Sequence, residues 1–390
     1  MKLIYRKLTG IKYYIVLFLS ILAVSTYSCS SGDDDIVPPP DDDDELPKVE
    51  VNIPSAKGIT DLALIYHTYV SRPKWTSGQI KHYIFRENNN KIEWLFDGFL
   101  FLEIYAKVNG TEYDYGIPTY GRGSPTKSVW EYLLSETFAD KRGPNALEIV
   151  LDSLAQKEHI PPYKRQVVFG IPNPHYGQKD WGLLNGKALN FNKPEDRLTA
   201  ACWYVDRVLE EWKKRDYKHL DFAGFYWLHE TIDGAPNNDE DLIKAVAEYL
   251  KTKNTDLCWI PYYGAAGANR WGDFGFNIAY QQPNYFFDTN SPITILTGAL
   301  DYAKRYNLAL EMEFDDRVSQ PAYMERYYTY IDEFEKAGVW NEKPVAYYDG
   351  GGAWYRMSIS KISTMKEMHK ALSDILVKRN RKFSTIIDKK

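Results

Sequence analysis

The stretch Leu220 to Thr231, LDFAGFYWLHET, decides the fold. It begins as a nearly continuous apolar and aromatic run, the pattern of a strand buried on both faces, and it ends abruptly in His229 and Glu230. Ile232 to Asn238 carries Gly234 and Pro236 and reads as a loop. Asp239 then opens a helical pattern in Leu242, Ile243, Val246 and Leu250. Strand, polar tip and helix make one βα unit. If the chain repeats that unit, Glu230 stands at the strand ends, where barrels built of such units carry out their chemistry.

Outward from this unit, apolar strand segments recur at Asp61 to Tyr69, Trp94 to Tyr105, Gln166 to Pro172, Phe222 to His229, Asp256 to Tyr262, Phe276 to Gln282, Leu308 to Phe314 and Pro344 to Tyr348, eight in all. Amphipathic helices fall between several of them. Pro194 to Lys214 puts Leu198, Ala201, Val205, Val208 and Trp212 on one face, with Pro194 in the first turn. Pro321 to Ala337 stops at Gly338, and Thr364 to Lys378 follows the eighth strand. This pattern predicts an α/β protein with a single (β/α)8 TIM-type barrel over residues 58–385. A doubly wound sheet would want a GxGxxG turn after its first strand, and none is present. The pattern is least regular between the first two strands, in the insert Asn109 to Thr126, and between strands five and six.

Ahead of the barrel, Met1 to Lys12 is basic, Tyr13 to Val24 is apolar, and small residues lead to Cys29. Residues 1–28 read as a signal peptide whose apolar run is too short to span a bilayer. Thr26-Tyr27-Ser28-Cys29 resembles the lipobox of bacterial lipoproteins, with Tyr27 where a small residue is usual; the resemblance implies a lipidated Cys29. Ser30 to Asp35, SSGDDD, resembles the acidic export signal of Bacteroidetes lipoproteins carried to the outer face of the outer membrane. Residues 29–57, acid-rich with Pro38 to Pro40, cannot bury enough apolar surface to fold and read as an extended tether. The expectation is a lipid-anchored outer-membrane protein exposed at the cell surface. Its partners would be the membrane, through the anchor, and outer-membrane glycan-uptake proteins.

The net charge of −5 is unevenly placed: Lys2, Arg6, Lys7 and Lys12 lie in the leader, and nine acids against Lys48 lie in residues 30–50. What remains is close to neutral and offers no basic face for a nucleic acid. Cys202 and Cys258 fall in a helical and a strand pattern and read as small core residues. The 31 Tyr and 11 Trp serve a core, and their amphipathic rings also suit the faces of sugars.

Polar residues at the strand ends are the candidate site. They are His67, Glu103, His175, Trp181, His229, Glu230, Tyr262, Tyr263, Gln281, Gln282, Asn284, Glu311, Glu313, Asp315 and Asp349. In LALEMEFDD, alternation puts Ala309, Glu311, Glu313 and Asp315 on one face. Acids inside an apolar strand are costly unless paired, so these belong at the barrel mouth or pair with Arg72, Arg270 or Arg317. Two carboxyl groups flanking an acetal are what glycoside hydrolysis needs. The expected catalytic residues are Glu230 as proton donor and Glu313 as nucleophile or base, with Glu311 the alternative second carboxylate. A carbohydrate substrate would be bound by His229, His175, Tyr262, Tyr263, Trp271, Gln282, Asn284, Tyr285 and Asp315. The seven His show no HxH or HExxH and the chain has no GxSxG, so neither a metal nor any other cofactor is expected, nor a serine hydrolase. A barrel that binds glycans without cleaving them is the alternative.

An acid after strand four and another near the end of strand seven resembles the large clan of retaining glycosidases built on this barrel. The clan's Asn-Glu pair is here His229-Glu230. A second resemblance is carried by GFYWLHE at 224–230, WIPYYGAAG at 259–267 with Trp271, GFxxxYxQPNYFF at 275–287 and EMEFD at 311–315. This ordered set resembles an uncharacterised family of barrel proteins, often secreted or lipid-anchored and found among bacterial glycan-using systems. The resemblance implies the fold and location rather than a reaction.

Overall fold

The computed structural model describes residues 58–387. The leader, Cys29 and the acidic tether lie outside the described residues. Eight parallel strands close into a barrel: β1 Asp61–Tyr66, β2 Gly98–Leu102, β3 Arg165–Ile171, β4 Leu220–Trp227, β5 Asp256–Trp259, β6 Ile278–Gln281, β7 Ala309–Glu313 and β8 Val345–Tyr348. Each pairs with its neighbours in sequence, and β8 returns to β1 with Asp61 opposite Val345. All eight expected strands are present. The β3–β4 register shifts between Phe222 and Gly224, and a Cβ on Gly224 would lie 2.4 Å from the Asp256 carbonyl oxygen. Glycine there lets β4 and β5 approach closely.

The helices are α1 Ser77–Ile84, α2 Lys127–Thr137, α3 Gly143–Ala155, α4 Pro194–Arg215, α5 Asp239–Thr252, α6 Thr294–Arg305, α7 Pro321–Lys336, α8 Val339–Glu342, α9 Ala353–Ser358 and α10 Ser363–Ile387. The apolar stripe of α4 buries Ala201, Val205 and Val208, as its periodicity requires. No helix among the described residues is long and apolar enough to cross a membrane.

The three irregular stretches hold additions to the plain barrel. A hairpin, Phe85–Asn88 with Lys91–Trp94, follows α1, and a second, Tyr105–Val108 with Thr111–Asp114, follows β2. The expected strand Trp94 to Tyr105 is therefore three pieces. Asp97 breaks it on one side by accepting the amides of Thr60 and Asp61, and Glu103 on the other by accepting those of Ile104 and Tyr105. Between β5 and β6 a 3-10 helix, Ala268–Phe274, stands where the other units have an α-helix.

At the N-terminal face of the barrel, α10 locks the closure. Arg379 Nε donates to Asp61 at 2.8 Å, and its other nitrogens reach the carbonyls of Thr60, Lys343 and Trp340. One guanidinium thus ties β1 to the segments entering β8.

Candidate active site

Strand alternation sends every second side chain inward, and at the C-terminal ends these residues enclose a cavity of about 180 Å³. Its wall is Leu64, Tyr66, Ile104, Tyr226, Ile260, Phe287 and Tyr348, with Gln282 and three acids, Glu230, Glu311 and Glu313. Glu311 and Glu313 are 2% and 1% exposed on β7, and Glu230 sits three residues past the end of β4. Among the described residues, no Lys or Arg forms an ion pair with any of the three. The arginines that could have neutralised them are engaged elsewhere: Arg72 with Glu103 at 3.5 Å, Arg270 with Glu240 at 2.8 Å, and Arg317 with Asp315 at 2.7 Å.

The two β7 acids differ in their partners. Glu313 Oε2 accepts a 2.5 Å hydrogen bond from the Tyr330 hydroxyl of α7, and the backbone amides of Asn284 and Tyr285 also favour its ionised form. Glu313 Oε1 and Glu311 Oε2 are buried without a partner. Burial pushes the Glu313 carboxyl up to about 7 despite Tyr330 and the two amides, and the charge of Glu230 adds to the rise. Burial pushes Glu311 well above the usual carboxylate range, with Glu313 and Glu230 raising it further. Glu230 is also raised by burial, against the Gln282 amide and His229. The site therefore favours a neutral Glu311 beside a Glu313 equipped to hold charge.

A second cavity of about 550 Å³ opens on the other side of Glu230 and shares Ile104 and Glu230 with the first. Its wall includes Asn173, His175, Tyr176, Arg197, His229 and Tyr262. Tyr176 and Tyr262 are 37% and 38% exposed there, while Asn173 Oδ1 and His175 Nε2 are buried and unpartnered. Burial, with His229 and Arg197 nearby, holds the His175 pKa down to about 4, so the ring is neutral. Its Nδ1 lies 2.9 Å from Ser124 Oγ. Apolar rings above unsatisfied polar atoms suit a polyhydroxylated ligand.

Of the expected site residues, Glu230, Glu311, Glu313 and Gln282 meet in the inner cavity, and His175, His229 and Tyr262 line the outer one. Five do not line either. Tyr263 packs edge-on against Tyr302 of α6. Trp271 lies in the 3-10 segment that carries the chain back toward the start of β6, and its Nε1 donates to the Tyr306 carbonyl just past α6. Tyr285 is covered by Arg326, 4.1 Å from its ring centre. Asn284 is exposed, at φ 57°, and what reaches Glu313 is its backbone amide. Asp315 is held by Arg317 and caps the short 3-10 helix Asp316–Ser319.

Other strand-end residues are structural. Glu103 accepts the amides of Tyr69 and Ile104, and Asp349 accepts those of Gly351 and Gly352. His67 faces Thr137, Trp181 stacks edge-on against Trp130, and Gln281 donates to the Gln282 carbonyl. The reading by strand ends missed Tyr66 and Tyr348, one residue before His67 and Asp349. Parity was the available signal: Glu313 pairs with Tyr348 across the β7–β8 ladder, so both face the lumen. Nothing in the strands could have indicated Tyr330, which arrives from α7.

No curated protein matches the chain. Similar solved structures include a chitinase from Chromobacterium violaceum, at 11% identity over 80% of this chain and 98% of that one, with a TM-score of 0.36. A GH5-4 broad-specificity endoglucanase from Clostridium longisporum has 12% identity over 80% and 88%, with a TM-score of 0.38. An α-amylase from Malbranchea cinnamomea has 8% identity over 85% and 78%, with a TM-score of 0.40. The model of a family described as a domain of unknown function, DUF4855, matches residues 61–374, nearly the whole barrel, and the chain belongs to that family.

Proposed function

We propose that the barrel mouth hydrolyses glycosidic bonds, and that the protein acts on a polysaccharide or oligosaccharide outside the cell. The observation that carries this reading is the set of three carboxyl groups lining one cavity, the buried Glu311 and Glu313 of β7 and the half-buried Glu230 just past β4, with no cation among the described residues paired to them. Glu230 lines both cavities, and in this reading it protonates the bridging oxygen of a glycan that crosses between them. As that C–O bond breaks, Glu313 attacks the anomeric carbon or takes a proton from the attacking water, and the hydroxyl of water ends on the released sugar. The inner cavity is smaller than the ~300 Å³ at which ligand pockets usually begin, a size suited to a single ring. A glycan-binding barrel would gain nothing from burying Glu311 and Glu313 with one oxygen of each left unsatisfied, which costs stability.

The Cys29 segment and the acidic run after it support anchoring at the outer face of the outer membrane. There the barrel would meet external glycans and work beside uptake proteins. The test of the reaction is turnover of a panel of polysaccharides and aryl glycosides by the wild type, Glu230→Gln and Glu313→Gln. Each substitution should lower turnover by about 10²- to 10⁴-fold while leaving binding in place. Undiminished hydrolysis by both variants would sink the assignment, and binding without release of reducing sugar by the wild type would leave the non-catalytic barrel.

A further inference from the structure

His229 and Asp233, from the loop joining β4 to α5, and Asp239, the first residue of α5, each bring a ligand-type atom to the wall of the outer cavity, all within 4.8 Å of one another. We infer that these three residues bind a divalent cation of the zinc type.

The contact between His229 and Asp239 is the first argument. His229 Nδ1 and Asp239 Oδ2 are buried 3.3 Å apart, an ion-pair contact, and neither atom makes a hydrogen bond of good geometry. The ring nitrogen is at hydrogen-bond distance but not aligned to donate. At zinc–ligand distances of about 2.0–2.1 Å, two ligands at the tetrahedral angle stand about 3.3 Å apart, which is the separation of this pair.

The second argument is how the remaining atoms are held. Asp239 gives its other oxygen to Arg197 NH2 at 2.7 Å, and Arg197 is itself fixed by the carbonyls of Pro174 and Asn237. Asp233 Oδ2 accepts from the Asn237 amide at 3.0 Å, and the His229 carbonyl accepts from the Trp259 indole at 2.8 Å. The two carboxylates thus each have one oxygen held by an outer partner, the arrangement that orients metal ligands, and His229 is held through its backbone. One imidazole and two carboxylates are a zinc-like donor set. Calcium prefers six to eight oxygens, and magnesium an octahedron of them. Three protein ligands leave a fourth position open to the cavity for water or a sugar hydroxyl. The sequence conceals the set because H-x3-D-x5-D matches no familiar metal spacing, and the loop must fold back before the three meet.

The test uses untagged full-length protein freed of metal with a chelator and titrated with zinc, calcium or magnesium salts by calorimetry and thermal melting. Zinc should bind one per chain and raise the melting temperature, with calcium and magnesium much weaker. Asp233→Asn, at a half-buried position, should fold normally and bind zinc at least tenfold more weakly. His229→Gln should do the same. The inference is overturned if zinc gives neither heat nor a melting shift, or if Asp233→Asn binds it as tightly as the wild type. Neither result bears on hydrolysis by Glu230 and Glu313.

Discussion

The two ends of this barrel both bury acids, and the difference between them lies in what surrounds each carboxylate. At the N-terminal end Asp61 has the Arg379 guanidinium at 2.8 Å and the Tyr347 hydroxyl at 2.7 Å. Beside it Asp97 accepts the amides of Thr60 and Asp61 and the Tyr163 hydroxyl. At the C-terminal end Glu311 and Glu313 each keep an oxygen with no hydrogen-bond partner, and no cation is paired with either, among the described residues. Proton affinity alone does not separate the ends. Burial raises Asp61 to about 6 in spite of Arg379, and Glu313 to about 7. Partners separate them: one end spends its charges on closing the barrel, and the other leaves acids unsatisfied where a ligand enters.

The sharpest way to break this comparison is to remove a partner at the closed end. Arg379→Ala strands Asp61 and should cost about 3–5 kcal/mol of stability in urea denaturation. Glu313→Gln, at the open end, should leave stability equal or higher at neutral pH. Equal losses from the two substitutions would erase the distinction.

The pH dependence of stability sharpens it. The Glu313 pKa is raised on folding, from 4.5 to about 7, so the native state holds the proton more tightly than the unfolded chain. Its contribution is fully present below about pH 4.5 and is lost as the pH rises through about 7, a change on the order of 3 kcal/mol at most. Melting curves from pH 4 to 9 should show the wild type losing ground to Glu313→Gln across that window. Asp61 titrates in both proteins, so the difference reports Glu313 together with Glu311, which its charge raises, and parallel curves would refute the assignment.

The smallest effect belongs to the outer cavity. Tyr262 is 38% exposed and holds no core position, so Tyr262→Ala should change stability by no more than about 0.5 kcal/mol. Loss of a sugar-facing ring should weaken glycan binding by about 1 kcal/mol, roughly fivefold, in a calorimetric titration. A large stability loss with unchanged binding would make Tyr262 a packing residue.

Much of this was legible in the residues. Buried parallel strands must be apolar on both faces, so the eight strands show as apolar runs, and an acid within such a run stands out because burying it is costly. That is why Glu230, Glu311 and Glu313 could be picked out before any fold was known. Side-chain direction and long-range partners were not legible. His67 and Asp349 lie at strand ends as expected, yet the lumen takes Tyr66 and Tyr348, because parity depends on where each ladder begins. Trp271 follows strand five as a mouth residue would, but its segment runs down the outside of the barrel. Asp315 shares a face with Glu313 in the pattern, and only the turn that brings Arg317 back to it removes it from the site. Tyr330 and Arg197 reach the mouth from helices distant in sequence. Local pattern depends on a residue and its near neighbours, whereas the charge state and orientation of a site depend on groups that only packing brings together.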